Sequence, residues 1–188
     1  MIRRTVITLL AFAMALVAAG TASITTAPVA SADVGVAAVT ITYSDSQAGE
    51  FADEVAQGVA IWNAAVTNVQ IVRAAPGARA DVRVIADNGW PRATLGPVRP
   101  GGSGTVWMGR QAVNQGYSVV RIASHEFGHI LGLLDVKPGP CSSLMSGSSA
   151  GVSCANPNPN TAERNRVQNN YRSGAIATLP DTGKVVTG

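Results

Sequence analysis

From residue 37 onward the chain switches between short patterns, and each pattern predicts an element. "AAVTITYS" (37–44) alternates apolar and polar positions, as a half-buried strand does. "AGEFADEVAQGVAIWNAAV" (48–66) changes to helical spacing. Phe51, Val55, Val59 and Trp62 recur three or four apart, so they share one helix face that reads as core. "VQIVRA" (69–74) predicts a second strand. "ADVRVIAD" (80–87) predicts a third, with Val82, Val84 and Ala86 facing one way. A loop rich in glycine and proline follows, "NGWPRATLGPVRPGGSG" (88–104), and then a short fourth strand near an edge, "TVWMG" (105–109). "YSVVRIASHEFGHILGLL" (117–134) is helix-compatible in its second half, and residues 136–160 are expected to be irregular. "NTAERNRVQNNYR" (160–172) predicts a last helix. Asn160 is its N-cap and Glu163 stands three residues on, the capping-box arrangement. Residues 174–188 have little to bury and are expected to be a flexible tail.

The first 32 residues do not fit this plan. Arg3 and Arg4 precede an almost wholly apolar run from Thr5 to Ala19, and "ASA" (30–32) offers a small-residue cleavage site. That is the layout of a signal peptide, and the apolar run is short for a membrane span of roughly 20 residues. The organisation expected is a signal peptide (1–32), a short interval that could be a propeptide (33–37), one main folded domain (38–173) and the tail. A length of 188 residues suits one domain with a real core.

Charge changes the picture little. The formal net charge of +3 falls to +1 once Arg3 and Arg4 are removed with the leader. No cluster of basic residues interleaved with aromatics appears. A nucleic-acid partner is therefore not expected, nor a membrane after the leader is removed. The expected product is a secreted, extracellular monomer. "LPDTG" (179–183) matches the sortase pattern, but only "KVVTG" follows it, without the apolar span and basic end such a signal needs. We read that match as coincidental.

Chemistry concentrates in "HEFGHILGLLD" (125–135). His125 and His129 are the two histidines of the chain, four apart, so on a helix they share a face. Two imidazoles so placed can reach one ion at roughly 2.0–2.1 Å. Glu126 leaves the helix about 100° away, which suits it to contact a water on the metal rather than the metal itself. Gly132 can end the helix and turn the chain back. Asp135 follows three residues later. With no third histidine, it is the acid whose spacing suits the third ligand; Asp87 and Glu163 have no such spacing. Three ligands leave a position for water, the pattern of a catalytic zinc site, with Glu126 as the base that takes the water's proton. The alternative is a non-catalytic, zinc-stabilised binding domain, which would have no need of a base at 126. Cys141 and Cys154 are most simply one disulfide, with free thiols or zinc ligands as the alternatives. Closing a loop of that size would stabilise by about 3 kcal/mol. Met145, ten residues after Asp135, lies between them.

H-E-x-x-H-x-x-G-x-x-D followed by a methionine turn resembles the aspartate-type metzincins, and in particular the snapalysin family of extracellular small neutral metalloproteases. The resemblance covers about 38–173, including "IWN" (61–63), "GPCSSLMSG" (139–147) and "NPNPNTAER" (156–164). It implies an α/β fold with a twisted mixed sheet, an active-site helix and a small C-terminal subdomain. It implies zinc on His125, His129 and Asp135, general base Glu126, Met-turn Met145 and a Cys141–Cys154 disulfide. It also implies protein and peptide substrates cleaved before an aromatic residue, and calcium (Ca2+) held around Ser118 and Val120. Ser118 stands where the family usually offers an aspartate. Lys137 stands where a tyrosine often stabilises the oxyanion; a lysine could do the same or simply be solvated.

Overall fold

The computed structural model describes residues 37–172 and 183–188. The leader, nearly all of the interval after it and most of "LPDTG" lie outside these residues. The alternating segments form β1 (Val39–Gln47), β2 (Val69–Arg73) and β3 (Val82–Asp87), and the striped segment forms α1 (Ala52–Ala65) behind a 3-10 turn. Two short strands follow, β4 (Arg92–Thr94) and β5 (Gly104–Gly109), and then the helices α2 (Arg110–Asn114) and α3 (Val119–Ile130). A 3-10 segment (Leu144–Ala150), α4 (Thr161–Asn170) and β6 (Val185–Thr187) complete the order.

The strands make one mixed sheet in the order β2-β1-β3-β5-β4-β6. The pairs β1/β2, β1/β3 and β3/β5 are parallel, while β4 runs antiparallel to both β5 and β6. The fold is thus mixed α/β, as expected. The inward residues of the strands, among them Ile41, Val82, Val84 and Val106, meet Val55, Val59 and Trp62 of α1 and Phe127 and Ile130 of α3 in one core. Tyr43 and Phe127 meet edge to face at 5.9 Å, and the Trp62 indole donates to the Ser124 carbonyl at 2.8 Å, which ties α1 to α3. The capping box at Asn160 and Glu163 forms in both directions.

Three expectations change. β5 is not near an edge; it lies between β3 and β4, and nearly all its residues are buried. The loop 88–104 hides β4, a strand of only three residues that follows directly on Pro91. The tail is not wholly free, because β6 pairs with β4 through the register Arg92 with Thr187, Ala93 with Val186 and Thr94 with Val185. Its β-branched residues suit an extended backbone, and what they gain is mainly backbone pairing rather than side-chain burial. Among the described residues, no helix is long and apolar enough to cross a membrane.

Candidate active site

The site is built on α3 and the turns that follow it. Every residue from Arg121 to Ile130 is buried, so α3 runs through the interior instead of lying on the surface. Ser118 caps its start by accepting from the Arg121 amide. The helix stops at Gly132, whose φ of +91° places it in the left-handed region. The Gly132 amide donates to the His129 carbonyl and the Leu133 amide to the Gly128 carbonyl, both at 2.9 Å, the Schellman pairing. The same turn aims the Leu133 carbonyl at His129 and carries the chain back to Asp135.

His125, His129 and Asp135 come together, with their ligand atoms within 4.8 Å of one another. Each Nδ1 is engaged by a backbone carbonyl: His125 with Leu144 at 3.0 Å, His129 with Leu133 at 2.7 Å. A carbonyl only accepts, so Nδ1 of each ring carries the hydrogen and donates it. In a neutral ring Nε2 is then a bare lone pair. Both Nε2 atoms point at Asp135 Oδ1, at 3.3 and 3.5 Å, and all three atoms are buried without a hydrogen-bond partner among the described residues. Acceptors facing acceptors in a buried space are costly unless a cation lies between them. Burial holds the His125 imidazole below its ordinary pKa, which keeps it neutral. Two imidazole nitrogens and one carboxylate oxygen are a donor set that fits zinc.

Glu126 is 0 % exposed, and neither carboxylate oxygen has a hydrogen-bond partner among the described residues. Burial first, and the Asp135 charge second, push its pKa well up from the ordinary value. Beside it a pocket opens, lined by Trp90, Tyr117, Ile122 and Gly147. Trp90 and Tyr117, both in its lining, meet edge to face at 5.8 Å.

Met145 is buried under α3, where Gly128 lacks the side chain that would collide with its sulfur. Its amide donates to Glu163 Oε1 at 2.9 Å. Cys141 and Cys154 are disulfide-bonded, with Cα atoms 5.5 Å apart. Lys137 Nζ lies 3.3 Å from Asp135 Oδ2 and donates to the Thr187 carbonyl at 3.0 Å. Ser118 and Val120 sit at the start of α3, where the Ser118 hydroxyl serves the helix cap. Among the described residues, His125, His129 and Asp135 are the one group of three or more such side chains close enough to hold a metal. The rival acids are engaged elsewhere. Asp87 pairs with Arg92 at 2.7 Å, and Glu163 binds the Met145 turn.

Sequence reasoning missed the support beneath the site. Arg121, one turn before His125, is 5 % exposed. It donates to the Ser143 carbonyl and the Ser146 hydroxyl, both at 2.9 Å, and to the Asn156 carbonyl. An arginine inside an otherwise apolar helical stretch was the available signal. Trp90 and Tyr117 gave none, since their neighbours are distant in sequence.

Two buried histidines on α3 and an aspartate from the turn after it, with a glutamate beside them that has no partner among the described residues, define a candidate metallohydrolase centre. Residues 38–174 match the model of the Streptomyces extracellular neutral proteinase (M7) family, and the chain belongs to that family. It is 43% identical over 136 residues to the extracellular small neutral protease of Streptomyces caespitosus, covering 72% of this chain and 99% of that one. It is 41% identical over 143 residues to the protein of the same name from Streptomyces coelicolor, covering 76% of this chain and 64% of the relative. The match thus spans a little under two thirds of the longer relatives' length. Archaemetzincin from Methanopyrus kandleri superposes with a TM-score of 0.45 at 16% identity, over 71% of this chain and 96% of its own.

Proposed function

We propose that this chain is a secreted zinc-dependent endopeptidase. The observation that carries the reading is the set of buried, partnerless atoms on His125, His129 and Asp135 beside an equally partnerless Glu126. His125, His129 and Asp135 would hold the ion. Zinc bound there would lend Lewis acidity to a peptide carbonyl and acidify water. Glu126 takes a proton from the attacking water and returns it to the leaving amine; its raised pKa suits both steps. The Leu144 and Leu133 carbonyls fix the two rings and their tautomers. Met145 forms the Met-turn floor below the ligands. Lys137 carries a cation beside them, and we assign it the stabilisation of negative charge on the substrate oxygen.

The aromatic pair Trp90 and Tyr117 next to Glu126 supports a preference for an aromatic residue just after the cleaved bond, since aromatic rings pack favourably edge to face. The relatives' names as extracellular proteases support secretion, in line with the leader.

Casein hydrolysis by purified protein, before and after chelation, tests the reading. Hydrolysis should be lost with the metal and return when zinc is added back. A protein that binds zinc tightly yet cleaves neither casein nor peptides with aromatic residues would be a binding domain instead.

A further inference from the structure

Gly183–Gly188 runs along the outer side of β4 and ends over the candidate catalytic base. Its backbone is tied to the edge strand at both ends. The Leu95 amide donates to the Lys184 carbonyl at 2.6 Å, and the Gly183 amide to the Leu95 carbonyl at 3.0 Å. At the other end the Gly188 amide donates to the Pro91 carbonyl at 3.1 Å, and the Trp90 indole donates to the Gly188 carbonyl. Lys137, already paired with Asp135, holds the Thr187 carbonyl. Gly188 lies so close to the site that a side chain there would run into the Glu126 carboxylate, and its Cβ would stand 3.3 Å from His125 Nε2.

We propose that Gly183–Gly188 is an intramolecular occupant of the substrate cleft, a pseudosubstrate strand that inhibits the enzyme competitively. The inference rests on the endopeptidase reading above. An edge strand offers a row of backbone donors and acceptors that any extended peptide can pair with. The segment uses that row on β4 and reaches the base, so a substrate lying along the same edge must displace it. It is also suited to displacement. Gly183, Lys184, Val185 and Thr187 are exposed, and Val186 and Gly188 are only half-buried, so leaving costs little apolar burial. The backbone bonds lost are of the kind a substrate backbone replaces. Small residues fit the passage over Glu126, where a bulky side chain would collide.

The test compares the full zinc-loaded chain with a variant lacking residues 183–188 and with full-length Val186→Pro, which removes a backbone donor from β6. In both variants KM for a peptide substrate should fall with kcat unchanged, raising kcat/KM about tenfold, as for a site open roughly a tenth of the time. A synthetic peptide Gly-Lys-Val-Val-Thr-Gly should restore the higher KM of the shortened enzyme. Hydrogen exchange gives a readout independent of activity: the Leu95 amide should lose protection in both variants, with or without zinc. Unchanged KM in both variants would overturn inhibition, and unchanged Leu95 protection would overturn occupancy. No hydrolysis by any form would sink the endopeptidase reading instead, leaving Leu95 exchange to decide whether the segment fills the cleft.

Discussion

Glu126 and Glu163 are both buried glutamates on helices that flank the turn carrying Met145, yet their surroundings are opposite. Glu163 accepts from the Ser143 hydroxyl at 2.8 Å and from the amides of Asn160, Met145 and Leu144 at 2.7, 2.9 and 3.3 Å. Three of these bonds draw α4 and the turn together, and the fourth closes the capping box of α4 itself. Among the described residues, Glu126 accepts none. A buried carboxylate normally needs such partners, because leaving one unpaired costs several kcal/mol of hydration. Where the fold supplies four, the acid holds structure. Where it supplies none, the acid is held ready for a group that arrives from outside.

The strongest way to break this comparison is Glu126→Gln, which keeps the shape and removes the base. We expect kcat/KM to fall by about 10²–10⁴, the range of general acid–base catalysis. Metal content should not change, and thermal stability should hold or rise, since an uncompensated buried acid has gone. Activity assays, metal analysis and calorimetry on one preparation check all three. A clear loss of stability would mean that Glu126 has structural partners after all.

Glu163→Ala should do the reverse. It strips four donors of their acceptor at once, and bonds to a charged acceptor are worth about 1.5–3 kcal/mol each before relaxation. Denaturant unfolding should show a loss of about 3 kcal/mol. The turn it holds also presents the Leu144 carbonyl to His125, so zinc affinity should weaken by roughly 10–100-fold, the cost typical of losing an outer-shell partner. Loss of stability without any change in zinc affinity would show that the turn orients His125 by other means.

The same contrast explains what the sequence made legible. β1, β2, β3, α1 and α4 follow from local periodicity or capping, since period two, the Phe51–Trp62 stripe and the Asn160–Glu163 box all lie within one short window. The ligand set was legible for a related reason: His125, His129, Gly132 and Asp135 fall within eleven residues. What failed is decided by partners far along the chain. β4 is Arg-Ala-Thr, polar and three residues long, and is a strand only because β5 and β6 pair with it. β5 looked marginal because its burial comes from neighbours on both sides. The tautomers of the two histidines depend on carbonyls placed by tertiary turns. No spacing reveals that Glu126 is unpaired, because an absence of partners is a property of the whole fold.

A third acid sharpens the comparison at smaller amplitude. Asp81 is 6 % exposed and sits at the sheet margin, beside the start of β3. Like Glu163 it is well served: Oδ2 accepts from the Thr42 amide and hydroxyl at 2.8 and 2.9 Å, and Oδ1 from the Gly101 amide at 2.8 Å. Burial would raise its pKa, but these bonds win and lower it. A pKa lowered in the folded state adds stability that is fully present above the unfolded value, about 3.9, and is lost as pH falls through the folded value. Asp81→Asn should therefore cost about 1–2 kcal/mol at neutral pH, and the gap to wild type should close as pH drops below about 4. Unfolding curves for both proteins between about pH 3 and 7 would show it. A gap that stays constant into acid would mean that the Asp81 bonds act through shape and not through charge, and that satisfied acids in this fold need not be ionised to hold it.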